Sequence, residues 1–150
     1  MEYYFDDINN LDRLKNILIE WKGTPYRHHC GVKGLGCDCI HFVARVLEEL
    51  RLIVWDKNLI PDYAKDWHLH NTREILSEGI IEKLNVKKIG INELKDGDIV
   101  LIHYGKAASH AAFYFDEHLY QSLNGVGVTK IHASDRLFRR QMKFAYRIIK

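Results

Sequence analysis

The stretch GLGCDCIHFVARVLEEL, residues 34–50, places two of the chain's three cysteines on either side of Asp38, where a helix is predicted to begin. Beyond Asp38, apolar residues at positions 40, 43, 46, 47 and 50 repeat with the period of an amphipathic helix, so Cys39 falls in its first turn. A helix N-terminus carries partial positive charge and free N–H groups, which predict a lowered thiol pKa and a site for an oxyanion. A buried cysteine can also be a small hydrophobic residue, so a nucleophile requires a nearby base.

The regions around this helix predict the fold class. Residues 10–21 have helical spacing with Asn10 as the expected N-cap, residues 26–37 are predicted to be a loop, and residues 66–84 to be a second helix broken near Gly79. The pattern then changes to alternation, which predicts strands at 98–104, 110–115, 118–123, 126–131 and 142–149. Helices followed by strands indicate one α+β domain over residues 1–150, with N-terminal helices packed on a five- or six-stranded antiparallel sheet.

Composition excludes several classes of protein. The net charge is +2, from 22 basic and 20 acidic residues, which is not the clustered excess of a nucleic-acid binder. No apolar run approaches the ~18 residues that a membrane span needs. The acidic start MEYYFDDINN lacks the apolar core of a secretory signal peptide. The odd number of cysteines disfavours a closed disulfide framework, so we expect synthesis in the reducing cytoplasm.

His110 is the candidate base, because it opens a predicted strand after a turn-like segment. If Asp116 and Glu117 form a two-residue hairpin turn, Gln121 lies opposite Ala112 and diagonal to His110 on the same face. Gln121 could then orient the imidazole, completing the nucleophile, base and orienting group of a cysteine triad. A register shift of one residue would turn Gln121 away.

A metal site is the alternative for the same region. The imidazoles and thiols that could contribute are those of His28, His29, Cys30, Cys37 and Cys39. Structural zinc sites favour C-x-x-C pairs, and the C-x-C run beyond H-H-C is a poor match. No metal or other cofactor is therefore expected, and Cys37 is predicted to be a buried neighbour or a second thiol able to form a regulatory disulfide.

Two long stretches resemble the NlpC-type cell-wall cysteine peptidases, a papain-like family. Residues 21–50, WKGTPYRHHCGVKGLGCDCIHFVARVLEEL, resemble the family's W-x-G-T-P-Y followed by G-x-D-C-[SI]-G-[FL]-V, and Y-R-H with G-C-D-C is similar to its phage cell-wall peptidase branch. Residues 94–128 resemble the hairpin G-D-[LI]-V…S-H-[VA]-[GA]-[IF]-Y…GVGV, and PDYAKDW (61–67) and FAYRI (144–148) also fit. The resemblance covers nearly the whole chain and implies the papain-like form of the α+β fold.

The resemblance implies roles for individual residues. It makes Cys39 the nucleophile, His110 the base, Gln121 the third catalytic residue and Tyr26 a group that polarises the oxyanion region. Asp38 and Ser109 match neighbours that hold the two catalytic loops. The predicted substrate-binding positions are Asp38, His41, Ser109, His28 and His29. Two interpretations of His28 and His29 stay open, the rim of the substrate groove and a solvated loop.

The chain departs from the family pattern in three places. His41 stands where the family usually has glycine, and its ring is expected to narrow the site or project into it. Gln121 replaces a common histidine and can orient an imidazole without carrying charge. His132 lies in a string, I131-H132-A133-S134, that normally holds the third catalytic residue, but here the string follows GVGV instead of preceding it. Gln121 is therefore favoured over His132.

The function implied by the resemblance is hydrolysis of an amide bond in the peptide stem of peptidoglycan, usually the γ-D-glutamyl to diamino-acid bond, through a thioacyl-enzyme. The expected partner is a peptide stem or muropeptide. A start without a signal peptide fits a protein delivered with a phage tail, alongside tail proteins, or an enzyme acting on recycled wall fragments in the cytoplasm. Two alternatives stay open: a tail-assembly or interaction protein with weak or no activity, which His41 favours, and a thiol amidase or acyltransferase on a non-wall substrate.

Overall fold

The computed structural model describes residues 2–56, 59–60, 80–103 and 108–150, except for the side chains of residues 103, 108, 109 and 137. The segment 61–67 and most of the predicted helix 66–84 therefore lie outside the described residues. Residues 81–83 at its end form one turn of 3-10 helix.

The first helix, α1 (Ile8–Trp21), begins two residues before the predicted start. Its N-cap is Asp7, whose carboxylate accepts a hydrogen bond from the Asn9 N–H at 2.8 Å. The prediction of Asn10 was wrong because the carboxylate of Asp7 caps the helix earlier, leaving Asn10 inside the first turn. The predicted apolar face is confirmed, with Leu14, Ile17, Leu18 and Trp21 buried.

The second helix, α2 (Cys39–Glu49), begins where the sequence predicts. Asp38 is its N-cap and accepts from the backbone N–H of His41 at 2.9 Å. A short antiparallel hairpin, β1 (Gly31–Val32) and β2 (Gly36–Cys37), leads into it. The prediction of an irregular loop there was wrong, because Gly31 and Gly36 lie in the paired strands and only Gly34, with a φ of +81°, lies in the turn between them.

The remaining strands form one six-stranded sheet in which every pairing is antiparallel. They are β3 (Val86–Ile89), β4 (Ile99–His103), β5 (Ala108–Phe115), β6 (His118–Leu123), β7 (Gly127–His132) and β8 (Met142–Ile148), in the spatial order β3-β8-β4-β5-β6-β7. The five predicted strands correspond to β4–β8 with ends shifted by at most two residues. Strand β3 was missed because its four residues, VKKI, do not alternate between apolar and polar. The α+β prediction is confirmed.

The predicted hairpin register between β5 and β6 is also confirmed. Phe113 pairs with Tyr120 and Phe115 with His118. The turn residues Asp116 and Glu117 have φ angles of +50° and +62°, as a two-residue turn with two left-handed residues requires.

The two faces of the sheet are covered differently. Helix α2 packs against β5 and β6 on one face, where Phe42, Val43 and Phe113 belong to the larger core. A smaller apolar cluster lies on the other face, below the short helix Arg136–Gln141. The N-terminus of α2 is thus brought to the sheet beside the start of β5. None of the helices in the described part of the chain is long and apolar enough to cross a membrane.

Candidate active site

Cys39 is the first residue of α2, and only 3% of its surface is exposed. Its burial and, to a lesser extent, the carboxylate of Asp38 raise the pKa of the thiol well above its ordinary value. Backbone hydrogen bonds from Ala111, Ile40 and Cys39 itself offset this only in part. The expectation of a lowered pKa was therefore wrong, because desolvation outweighs the helix terminus. The bond from Ala111 also places the sulfur beside the residue that follows His110.

His110 and Gln121 form a buried pair on neighbouring strands. The His110 Nε2 and Gln121 Oε1 atoms lie 2.7 Å apart, and the two residues are 5% and 0% exposed. Since the amide oxygen can only accept, Nε2 must carry the proton, and the basic lone pair of the neutral ring then lies on Nδ1. Gln121 thus fixes both the orientation and the tautomer of the imidazole.

His132 is the last residue of β7, and it lies next to the turn that joins β5 and β6, at the end of these strands away from His110. It pairs with His118 across β6 and β7, and its side chain is 52% exposed. The Ser134 hydroxyl contacts its Nδ1 at 2.7 Å. The contact with His110 is therefore made by Gln121, while His132 faces a separate surface.

Tyr26 lies beside Cys39 on the strand-like segment next to β2. It bridges to Cys37, and the flanking bonds from Cys37 N–H to Pro25 and from Arg27 N–H to Cys37 hold the segment in place. The pKa of Tyr26 is raised, first by burial and then by Cys39, Asp38 and Cys37. The phenol therefore stays protonated near the sulfur, as a donor to an oxyanion must.

A contact that the sequence motifs did not reveal ties this segment to β7. The Thr24 carbonyl accepts a hydrogen bond from Val128 N–H at 2.8 Å, and the Gly23 N–H donates to the Val128 carbonyl at 2.9 Å. A Cβ at Gly127 would lie 2.4 Å from the Thr24 carbonyl oxygen, so only glycine fits there. The two motifs T-P-Y and GVGV are thus parts of one support for Tyr26.

Asp38 is 2% exposed and anchors the loop that precedes Cys39. Its Oδ2 accepts from the backbone N–H of His29 at 2.8 Å, and its Oδ1 accepts from His41. The predicted loop-holding role of Asp38 agrees with these bonds.

His41 is only 5% exposed, and its ring lies against that of His29 on the segment before β1. Its Nδ1 lies 2.9 Å from Asp38 Oδ1, and its ring packs against those of His29 and Trp55 at centroid distances of 5.0 and 6.1 Å. The i,i+3 spacing of Asp38 and His41 on a helix was the signal for this contact.

The other predicted positions surround this core. His28 and His29 are half-buried on the segment before β1, with ring centroids 6.2 Å apart. Ser109 belongs to β5, and its side chain lies outside the described residues. Cys37 is buried, and its thiol lies 3.6 Å from the Ser122 hydroxyl. In the described ranges, no three His, Cys, Asp or Glu side chains are grouped so that they could hold a metal ion.

Comparison with known proteins identifies the family. Residues 23–144 match the model of the NlpC/P60 family. No curated protein matches the chain. The solved structures to which it is similar include an NLP/P60 family protein, described as similar to lipoprotein, from Staphylococcus aureus subsp. aureus Mu50, at 17% identity and a TM-score of 0.67. A second is an NlpC/P60 family protein from Bacillus cereus ATCC 10987, at 20% identity and a TM-score of 0.65. A third is the peptidoglycan hydrolase RipB from Mycobacterium tuberculosis, at 16% identity and a TM-score of 0.61.

These matches cover a larger share of this chain than of the proteins that it matches. The matches cover 100%, 90% and 98% of this chain, respectively, but only 44%, 39% and 68% of the other proteins, so the chain spans less than half the length of the first two. The structural likeness confirms the predicted papain-like form of the α+β fold. Because the family model matches most of the sequence, the chain belongs to the NlpC/P60 family, as its motifs predict.

Proposed function

We propose that this protein is a cysteine peptidase that hydrolyses an amide bond in the peptide stem of peptidoglycan. The observation that carries the proposal is the buried His110–Gln121 pair. The strand that contains His110 approaches the Cys39 sulfur at the start of α2. Family membership supports it, as does the likeness to RipB and to the NlpC/p60 domain of the peptidoglycan hydrolase SagA, which aligns with 90% of this chain.

The chemistry starts from a neutral thiol, since burial raises the pKa of Cys39. As substrate binds, His110 Nδ1 accepts the thiol proton, and the thiolate attacks the amide carbonyl. The backbone N–H of Cys39 and the Tyr26 hydroxyl donate to the tetrahedral oxyanion. When the C–N bond breaks, His110 gives the proton to the leaving amine, and water then hydrolyses the thioacyl-enzyme with His110 again acting as base.

The finer features belong to the same proposal. The scissile bond is the γ-D-glutamyl to diamino-acid link, and His28, His29 and Ser109 contact the stem at the rim of the site. We further propose synthesis in the cytoplasm, followed by delivery with a phage tail or action on recycled wall fragments.

Mass spectrometry of purified muropeptides tests the proposal. Wild-type protein should release fragments split at one amide, which identifies the bond. Cys39→Ala should release none, and His110→Ala should be slower by about 10²- to 10⁴-fold. His118→Ala, a histidine bonded to the Asp116 carbonyl at the far end of the hairpin, is the matched control and should keep wild-type activity.

Two results would contradict the proposal. Muropeptides left intact by folded wild-type protein would favour the tail-assembly or interaction protein. Transfer of an acyl group to an added amine, with no hydrolysis in its absence, would favour an acyltransferase.

A further inference from the structure

We infer that His41 is a positioning residue for the nucleophile: its Nδ1–H bond to Asp38 fixes the carboxylate next to Cys39 and offsets part of its negative charge. The role rests on the proposed function of Cys39. It is a property of this chain's own sequence, because the family motif that the chain resembles usually has glycine at this position.

The geometry at Asp38 makes His41 the main donor to one carboxylate oxygen. Asp38 Oδ1 receives both the backbone N–H and the ring Nδ1 of His41, each at 2.9 Å. An N-cap aspartate ordinarily receives only the backbone bond. The ring of His41, the third residue of the helix, therefore adds a second hydrogen bond to Oδ1. The His29 N–H donates to Oδ2.

The packing around the ring gives it one orientation. A Cβ at Gly31 would lie 3.0 Å from His41 Cβ, so the hairpin closes directly over the side chain. Trp55 covers the ring from another side and is itself covered by Arg45, whose Cζ lies 3.4 Å from the Trp55 ring centroid. Arg45 also donates to the Gly31 carbonyl at 3.0 Å, which ties these groups together.

The orientation matters because Asp38 acts on the reacting groups by its charge. Its carboxylate raises the pKa of both Cys39 and Tyr26. The hydrogen bond that His41 donates to the carboxylate weakens that field, and loss of the donor strengthens it. The other titratable or charged groups facing this region come from the segment before β1, from β2, from β5 and from α2, and they are Tyr26, His28, His29, Cys30, Cys37, His110 and Arg45.

Alkylation of Cys39 by iodoacetamide across pH 7–9, followed by mass spectrometry of its peptide, tests this role without any wall substrate. His41→Leu keeps an apolar side chain but has no donor, and we expect Cys39 to react about tenfold more slowly at each pH. His41→Asn places its amide nitrogen where Nδ1 stands, so it should react within about threefold of wild type. The alkylation rate of Cys30 in the same samples shows whether the fold is intact.

A double-mutant cycle decides whether His41 acts through Asp38. In an Asp38→Asn background, where the charge is gone, His41→Leu should leave the Cys39 rate unchanged. An unchanged rate in His41→Leu alone, a failure of His41→Asn to restore the rate, or the same tenfold slowing in the Asp38→Asn background would each overturn the inference. Intact muropeptides with wild-type protein would overturn only the proposed function, because the alkylation result does not depend on cleavage.

Discussion

Two aspartates in this molecule are buried to the same degree and serve different purposes. Asp38 is 2% exposed and Asp98 is 1% exposed. Each has three described hydrogen-bond donors. Those of Asp98 are the Lys95 backbone N–H at 2.8 Å and two nitrogens of Arg147 at 2.9 and 3.0 Å. Those of Asp38 are two backbone N–H groups and one imidazole.

The difference lies in what the donors do to the charge. A guanidinium is charged at all ordinary pH values, and the Asp98 bond raises the pKa of Arg147 further, so this pair is neutralised locally. The field of Asp38 instead reaches Cys39 and Tyr26 and shifts the pKa of each. The Asp98 carboxylate thus belongs to an ion pair with a permanent charge, whereas that of Asp38 also shifts the pKa of two neighbouring side chains.

The largest effect should come from breaking the Asp98 pair. Asp98→Asn leaves the Arg147 guanidinium, whose side chain is 11% exposed, without a counter-charge, and we expect a loss of about 3–5 kcal/mol in the free energy of unfolding. Urea unfolding measures this. Lys150→Ala, which removes an exposed ion pair with Glu2, should leave the urea midpoint unchanged. An unchanged midpoint in Asp98→Asn would remove the contrast with Asp38.

Gln121 is a buried polar residue whose substitution we expect to reduce activity more than stability, in contrast to Asp98. Its Nε2 has no hydrogen-bond partner among the described residues, while its Oε1 holds His110. Gln121→Met keeps the length of the side chain and removes both atoms. We expect kcat/KM on muropeptides to fall about 10- to 100-fold, as loss of one bond to a catalytic group predicts, with the urea midpoint within error of wild type. A fall in stability without a fall in activity would make Gln121 structural.

The sequence predicted much of the fold because its patterns are local. The apolar period of α2, its start at Asp38 and the Asp116–Glu117 turn each depend on a few adjacent residues, and all three are confirmed. Strand β3 was missed because its stability comes from pairing with β8, which lies more than fifty residues away.

The same distinction holds for the site. The contact between His110 and Gln121 followed from the hairpin register, which a two-residue turn fixes. The pKa of Cys39 was predicted in the wrong direction, because burial by the sheet is a tertiary effect that helix position does not reveal. The orientation of His41 depends on Gly31 and Trp55, whose approach no local pattern indicated.

Cys37 extends the comparison to pH. Burial raises its pKa to about 12, against about 8.5 in an unfolded chain. Because the folded state holds the proton more tightly, this stabilisation is complete below about pH 8.5 and is lost as the pH rises toward 12. Between pH 7 and 10 the loss should be about 1–2 kcal/mol.

Urea unfolding at the two pH values measures that loss, and Cys37→Ala should show a smaller drop than wild type. Val128→Ala removes buried apolar atoms and no titratable group, so its loss of stability relative to wild type should be the same at both pH values. An equal drop in wild type and Cys37→Ala would assign the alkaline loss to other groups.

The smallest effect on activity is expected from substitution of His132. The substitution tests whether the exposed histidine, as well as the buried Gln121, orients His110. His132 has the side chain that family members often use, but it is half-exposed and bonded to Ser134. The contacts of its ring with Ser134, Glu117 and His118 hold it beside the β5–β6 turn, at the end of the strands away from His110. We therefore expect His132→Ala to keep kcat/KM within about twofold of wild type in the muropeptide assay. A tenfold fall would mean that His132 reaches the site during turnover, and the buried amide of Gln121 would then be only one of two orienting groups.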